Sequence, residues 1–193
     1  MPSDSAFDAT RRQLLGAAVG AALLPSAAVA MDEIRPASPE RGFDFLHGRW
    51  SVLHRKLKQR LVGSTDWIEF AGTLDVRPFL GGSGNIDENL LHDPGGTFLA
   101  TSIRVFRPAS GDWSIHWVDG RSSGLDIPVI GRFDGKVGRF FCDDQLAGRP
   151  IRVRFTYEDV SPVSARWDQA FSADSGATWE KNWTMAFTRE AGL

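Results

Sequence analysis

The chain is poor in cysteine: Cys142 stands alone among 193 residues. That excludes an intrachain disulfide and any zinc cage built on paired thiolates. Between Phe141 and Asp143 the thiol reads as a small core residue. Tyrosine is equally scarce, one residue against 13 Phe and 7 Trp, so the aromatic content goes into large apolar contacts. There is no Lys/Arg block, and the formal net charge is −2, which leaves no electrostatic footprint for nucleic acid. No apolar run reaches the roughly 20 residues a bilayer span needs. No internal repeat is visible, which excludes a propeller or solenoid. Past Arg49 no stretch carries a helical period.

The N-terminal segment has its own character. Thr10–Ala30 reads TRRQLLGAAVGAALLPSAAVA: paired Arg11 and Arg12, an apolar stretch from Leu14 to Leu24, Pro25, and Ala28-Val29-Ala30 as a small-residue cleavage pattern. It resembles a twin-arginine export signal. The resemblance implies removal of residues 1–30, no stable membrane insertion afterwards, and a mature protein in the periplasm or secreted. The competing reading starts the protein at Met31 and leaves it in the cytoplasm. Residues 31–41, polar with two prolines, read as a linker, and residues 42–193 as one domain. Ser38-Pro39-Glu40 reads as the start of a short helix, Ser as N-cap and Pro at the first position, ending at Gly48.

The rest is a series of short runs rich in Val, Ile, Phe, Trp and Thr, broken by turn signals. The strands predicted are Trp50–Gln59, Trp67–Arg77, Gly84–Leu91, Phe98–Arg107, Trp113–Asp119, Val129–Phe133, Lys136–Gln145, Arg149–Val160, Ser164–Ser172 and Trp179–Arg189. Asp134-Gly135 reads as a type I′ hairpin turn, and Ala147-Gly148 as another connector. About ten consecutive antiparallel strands in one domain predict an all-β, up-and-down barrel, since closure removes the exposed edges. A β-sandwich is the alternative.

Ser172-Ala-Asp174-Ser-Gly176-Ala-Thr178-Trp179 resembles the S-x-D-x-G-x-T-W box of sialidase propellers. A propeller would need a copy in each blade, about every 40–50 residues, and there is one. The box therefore reads as a hairpin device: Asp174 accepts backbone N–H groups and Gly176 takes positive φ.

Phe43-Asp44-Phe45-Leu46-His47-Gly48-Arg49-Trp50 resembles the opening of calycin-type barrels. There a short helix precedes a G-x-W whose Trp plugs the floor, and an Arg late in the last strand stacks on it. Gly48 and Trp50 match, and Arg189 is the candidate partner. With RPFLGGSGNIDEN, WSIHWVDGRSSGLD, GRPIRVRF and ARWDQAFSADSGATWEKNW, the chain from Phe43 to Arg189 resembles an uncharacterised bacterial family of lipocalin-like barrels. That implies the fold and no activity. Nitrobindin-like haem barrels share the G-x-W, but the resemblance there requires an axial His late in the chain. None of the 4 histidines lies beyond His116, so no cofactor is expected.

In a small barrel, alternate residues face the lumen. The pairs Trp67/Glu69, Asn85/Asp87, Ser102/Arg104, Trp117/Asp119, Trp167/Gln169 and Lys181/Trp183 keep period two and set hydrogen-bonding groups beside aromatic or small residues. Taken together they predict a lumen site of Glu69, Asn85, Asp87, Arg104, Trp117, Gln169 and Trp183, with aromatic walls and convergent polar groups. The plain alternative is outward charge on amphipathic strands. Arg104 should pair with Glu69 or Asp87 inside the barrel. His54 shares parity with Trp50 and points inward or serves as an ordinary strand residue; His116 should face out if Trp117 faces in.

Gly81-Gly82-Ser83-Gly84 lacks the Lys-Ser/Thr of a phosphate loop. Asn85-Ile-Asp87-Glu88-Asn89 lacks the glycine of a calcium loop, and no cluster has zinc spacing. The function expected is binding of a small, partly apolar ligand. The alternatives are an enzyme of lyase, isomerase or hydrolase type, using Glu69 or Asp87 as acid/base and Arg104 to hold an anion, and a filled barrel without ligand.

Overall fold

The computed structural model describes residues 38–122 and 124–191. The segment read as an export signal and most of the one read as a linker therefore lie outside the described residues. Ten strands follow one another: β1 Gly48–Leu57, β2 Trp67–Phe79, β3 Gly84–Asp93, β4 Gly96–Arg107, β5 Asp112–Asp119, β6 Val129–Asp134, β7 Val137–Leu146, β8 Arg149–Glu158, β9 Ser164–Ser172 and β10 Glu180–Arg189. Each pairs antiparallel with its neighbours in sequence, and β1 pairs with β10, so the sheet is a closed up-and-down barrel. Closure, and not a sandwich, takes up the edge strands.

Alternation separates the faces. On β1, Trp50, Val52 and His54 are buried while Ser51, Leu53 and Arg55 are exposed; on β2, Phe70, Gly72, Leu74 and Val76 are buried. The connectors match the turn chemistry with local corrections. The β6–β7 loop is Gly135-Lys136, with Gly135 at φ 59, one residue later than Asp134-Gly135. Ala147 (φ 50) and Gly148 (φ 77) give the two positive-φ positions that a type I′ turn demands. The β9–β10 hairpin is the box-like loop. Asp174 there accepts the Thr178 N–H at 2.8 Å, the Thr178 hydroxyl at 2.6 Å and the Ser172 hydroxyl at 2.7 Å. Trp179 lies under the Arg154 guanidinium, 4.5 Å from its ring centre.

One end of the barrel is closed by the N-terminal segment. The helix predicted there is instead two short 3₁₀ turns, Pro39–Arg41 and Asp44–Leu46, and the Ser38 side chain makes no capping bond. Pro39–Arg41 belongs to this plug, not to a linker, because the Trp113 indole N–H donates to the Pro39 carbonyl at 2.9 Å. Phe43 has no exposed surface and meets the rings of Trp113, Phe133 and Tyr157 edge-on at 5.0–5.2 Å.

The fully buried Trp50 donates its indole N–H to the Leu46 carbonyl at 2.7 Å. The Arg189 guanidinium lies 4.1 Å from the Trp50 ring centre and donates to the carbonyls of Phe45 and His47, both at 2.6 Å, and of Pro162 at 2.5 Å. One side chain thus clamps the plug, the first strand and the β8–β9 connection. Gly48 permits it: its φ is 105, and a Cβ there would come 3.0 Å from Arg189 Nη1.

Arg189→Met removes the stack and all three bonds together. Its unfolding free energy in urea, followed by tryptophan fluorescence, should fall by about 2–4 kcal/mol. A loss below about 0.5 kcal/mol would mean that the clamp does not hold the floor.

Candidate functional site

The barrel encloses a cavity of about 390 Å³. Its wall mixes apolar and aromatic side chains, Ile115, Val129, Val153, Phe155, Trp167 and Met185 among them, with polar and charged ones. Of the seven residues predicted from parity, Arg104, Trp117, Gln169 and Trp183 line this cavity. Asn85 and Asp87 are also buried inside the barrel, at 1% and 3% exposure, where they hold Arg104 from behind.

Glu69 is not among them. It is exposed on the outer face of β2 and pairs with Arg55 across the sheet at 2.7 Å. Trp67, read as inward with it, has the Arg55 guanidinium 5.1 Å from its ring centre. The inward parity of β2 is that of Phe70 and Leu74. An aromatic ring covering an arginine stem on the surface resembles a lumen wall when read from sequence.

The floor is a network around Arg104, which is 4% exposed. Its Nη1 donates to Asp87 Oδ2 at 2.6 Å and to Asn85 Oδ1 at 3.0 Å, and its Nη2 lies 3.4 Å from the Tyr157 hydroxyl. Burial alone would lower the guanidinium pKa, but Tyr157 and Asp87 outweigh it and the pKa is raised. Asp87 also accepts the Ser102 backbone N–H at 2.7 Å and the Asn89 amide at 2.5 Å. Its carboxylate thus stands within the β3–β4 pairing, where Ser102 bonds to it. Burial raises the Tyr157 pKa, against an opposing effect of Arg104, so the phenol keeps its proton.

Towards the other end, Lys56 and Arg60 line the cavity, each against an aromatic face: Lys56 Nζ is 4.5 Å from the Trp183 ring centre and the Arg60 guanidinium 5.5 Å from that of Phe171. Burial lowers the pKa of both. Asp119, Asp126 and Asp144 line the same space. Asp119 is held by a two-point fork from Arg121, at 2.9 and 2.7 Å. Burial, with Asp144 and Asp119 nearby, raises the Asp126 pKa. Cys142, read as a core residue, lies on the cavity wall. Burial and the neighbouring Asp144, Asp143 and Asp126 push its thiol up to about 11.

Parity could have found Lys56, two residues beyond His54 on the inward face, and Tyr157, in step with Val153 and Phe155. Arg60, Arg121 and Asp126 sit in connections, where no period applies. The β5–β6 connection, residues 120–128, arises because β5 and β6 pair over Trp113–Ile115 alone; beyond that, the Asp126 N–H bonds to the Trp117 carbonyl at 2.9 Å.

His54 does point inward, but it is packed and not presented. Its ring stacks on Phe70 at 4.7 Å and 9°, and Nδ1 accepts the Trp183 indole N–H at 3.3 Å. Gly72 makes the space: a Cβ there would come 2.7 Å from His54 Nε2. Burial lowers the His54 pKa from 6.5 to about 4. His116, next to the inward Trp117, is half-buried and outside the cavity lining. Among the described residues no group of three or more His, Cys, Asp or Glu is arranged to hold a metal ion.

Two outcomes follow. Arg104→Met leaves the Asp87 carboxylate buried without its cation and should cost about 3–5 kcal/mol. In the double variant Asp87→Leu/Arg104→Met part of that loss should return; a double variant less stable than the sum of the singles would contradict the pairing. For His54 the unfolded chain takes a proton near pH 6.5 and the folded chain near 4. Stability is therefore complete above pH 6.5 and falls between 6.5 and 4, by about 3 kcal/mol in all. His54→Gln, which keeps an acceptor for Trp183, should flatten that slope in pH-dependent urea unfolding; an unchanged slope would assign the loss to other groups.

No model of a known protein family matches the chain, and no curated protein matches it either. Among solved structures it is similar to that of Rv2717c from M. tuberculosis, with a TM-score of 0.50 and 12% sequence identity, over 77% of this chain and 95% of that one. At that identity the likeness is one of fold.

Proposed function

We propose that the protein is a lipocalin-like barrel that binds a small, partly apolar ligand in its lumen. One observation carries the reading: a cavity of about 390 Å³, inside the range of about 300–1,000 Å³ usual for small-ligand sites, is lined by apolar and aromatic side chains together with a comparable share of polar and charged ones. A barrel filled by its own side chains would leave no such space. The clamp of Arg189 on Trp50 and the G-x-W at Gly48 support the lipocalin-like assignment. The paired arginines and the small-residue pattern at Ala28–Ala30 support export, so the ligand is one met in the periplasm or outside the cell.

Binding is favoured over catalysis by the state of the two carboxylates nominated as acid or base. Glu69 is on the outside. Asp87 is consumed by three different donors and lies behind Arg104, so it has little freedom to take a proton from a substrate.

Native mass spectrometry of protein purified from its own periplasm should reveal a co-purifying small molecule. Cys142 supplies a second readout, being the one thiol of the chain and on the cavity wall. Alkylation by iodoacetamide above pH 9, where more of the thiol is ionised, should be slowed at least severalfold by the extracted molecule. Absence of any co-purifying molecule, together with labelling that no lumen extract slows, would overturn the proposal.

A further inference from the structure

The two ends of the cavity differ in charge. At the floor the Arg104 cation and the Asp87 anion form a neutral pair, 2.6 Å apart. The Nη1 end of the guanidinium is consumed by Asp87 and Asn85. What remains is its Nε–Nη2 edge. Nε is buried and donates to no acceptor in the protein, and Nη2 has only the long contact to the Tyr157 hydroxyl. The two N–H groups on one edge of a planar guanidinium point the same way, a fork suited to an oxygen acceptor. A ligand carboxylate there would be a second buried anion on a cation already paired, and its desolvation would not be repaid. A hydroxyl or carbonyl oxygen carries no such penalty.

At the mouth, charges of both signs line the cavity. Lys56 and Arg60 face the cavity, and neither has an ion-pair partner among the described residues, whereas Arg55, Lys58 and Arg121 nearby are all paired. Of the acids lining the same space, Asp119 is held by Arg121. Asp144 stands on β7, and β10, β9 and β8 lie between it and β1 in the barrel. Asp126 comes from the β5–β6 connection. Asp93 and Asp119 act on Lys56, and Glu180 on Arg60, without reaching salt-bridge distance. Both cations are thus half-buried with no direct partner among the described residues, a setting where contact with an anion gains more than it does in water.

We propose that the lumen takes an amphipathic anion in one orientation, a neutral oxygen on Arg104 and Tyr157 at the floor and its anionic group on Lys56 and Arg60 at the mouth. The inference rests on the lumen-binding reading and names the ligand's class and direction.

Calorimetric titration of the intact protein with ω-hydroxydecanoate, decanoate and decanol separates the two ends without a mutation. ω-Hydroxydecanoate should bind about tenfold tighter than either of the others, the worth of one buried hydrogen bond or ion contact. Tyr157→Phe should narrow its lead over decanoate, and Lys56→Gln/Arg60→Gln should weaken both acids together. Decanoate binding as well as ω-hydroxydecanoate, or acids unaffected by loss of Lys56 and Arg60, would overturn the orientation. If none of the three binds while native protein yields a lumen ligand, the ligand class is wrong and the lumen reading stands. If neither experiment finds a ligand, the lumen reading fails first and this inference falls with it.

Discussion

The structure depends on the closure of β10 on β1, with Trp50 opposite Arg189 and Lys56 opposite Trp183. Until that register forms, the strands are a meander with two open edges and no defined interior. Once it forms, parity along every strand becomes a choice between core and solvent, and a slip of one residue would turn each inward set outward. Arg189 guards the register because its forked donors satisfy carbonyls from the plug and the β8–β9 loop at the same moment that its face covers Trp50. A lysine has neither the fork nor the flat face.

Closure also divides the interior into two halves of different character. Near the plug, aromatic rings around Phe43 fill the space. Above it the same barrel leaves a cavity, and the boundary is a polar layer in which Arg104, Asp87, Asn85 and Tyr157 satisfy most of one another's bonds. Such a buried pair adds little net stability over an apolar filling, because desolvation offsets the attraction. What it supplies is direction, a fixed donor edge at a known depth. His54, held neutral by burial beside Trp183, packs the neighbouring wall and leaves the cavity chemistry to other groups.

The sequence by itself determined the strands. All ten predicted runs match the observed ones to within two residues at each end, because alternation and turn chemistry are local properties. The Trp50–Arg189 contact was implied by the resemblance of the G-x-W segment to calycin barrels, and parity placed six of the seven side chains inside the barrel, since period two survives closure. Glu69 shows where that rule stops. A strand with aromatic and charged residues on one face and small or aliphatic residues on the other does not declare which face is inner, and only the neighbouring strands choose. The tertiary structure alone brought Arg60, Arg121 and Asp126 to the mouth, because they lie in connections without a period. It alone decided that Asp87, not Glu69, would neutralise Arg104, since the choice depends on which strands become neighbours across a ladder.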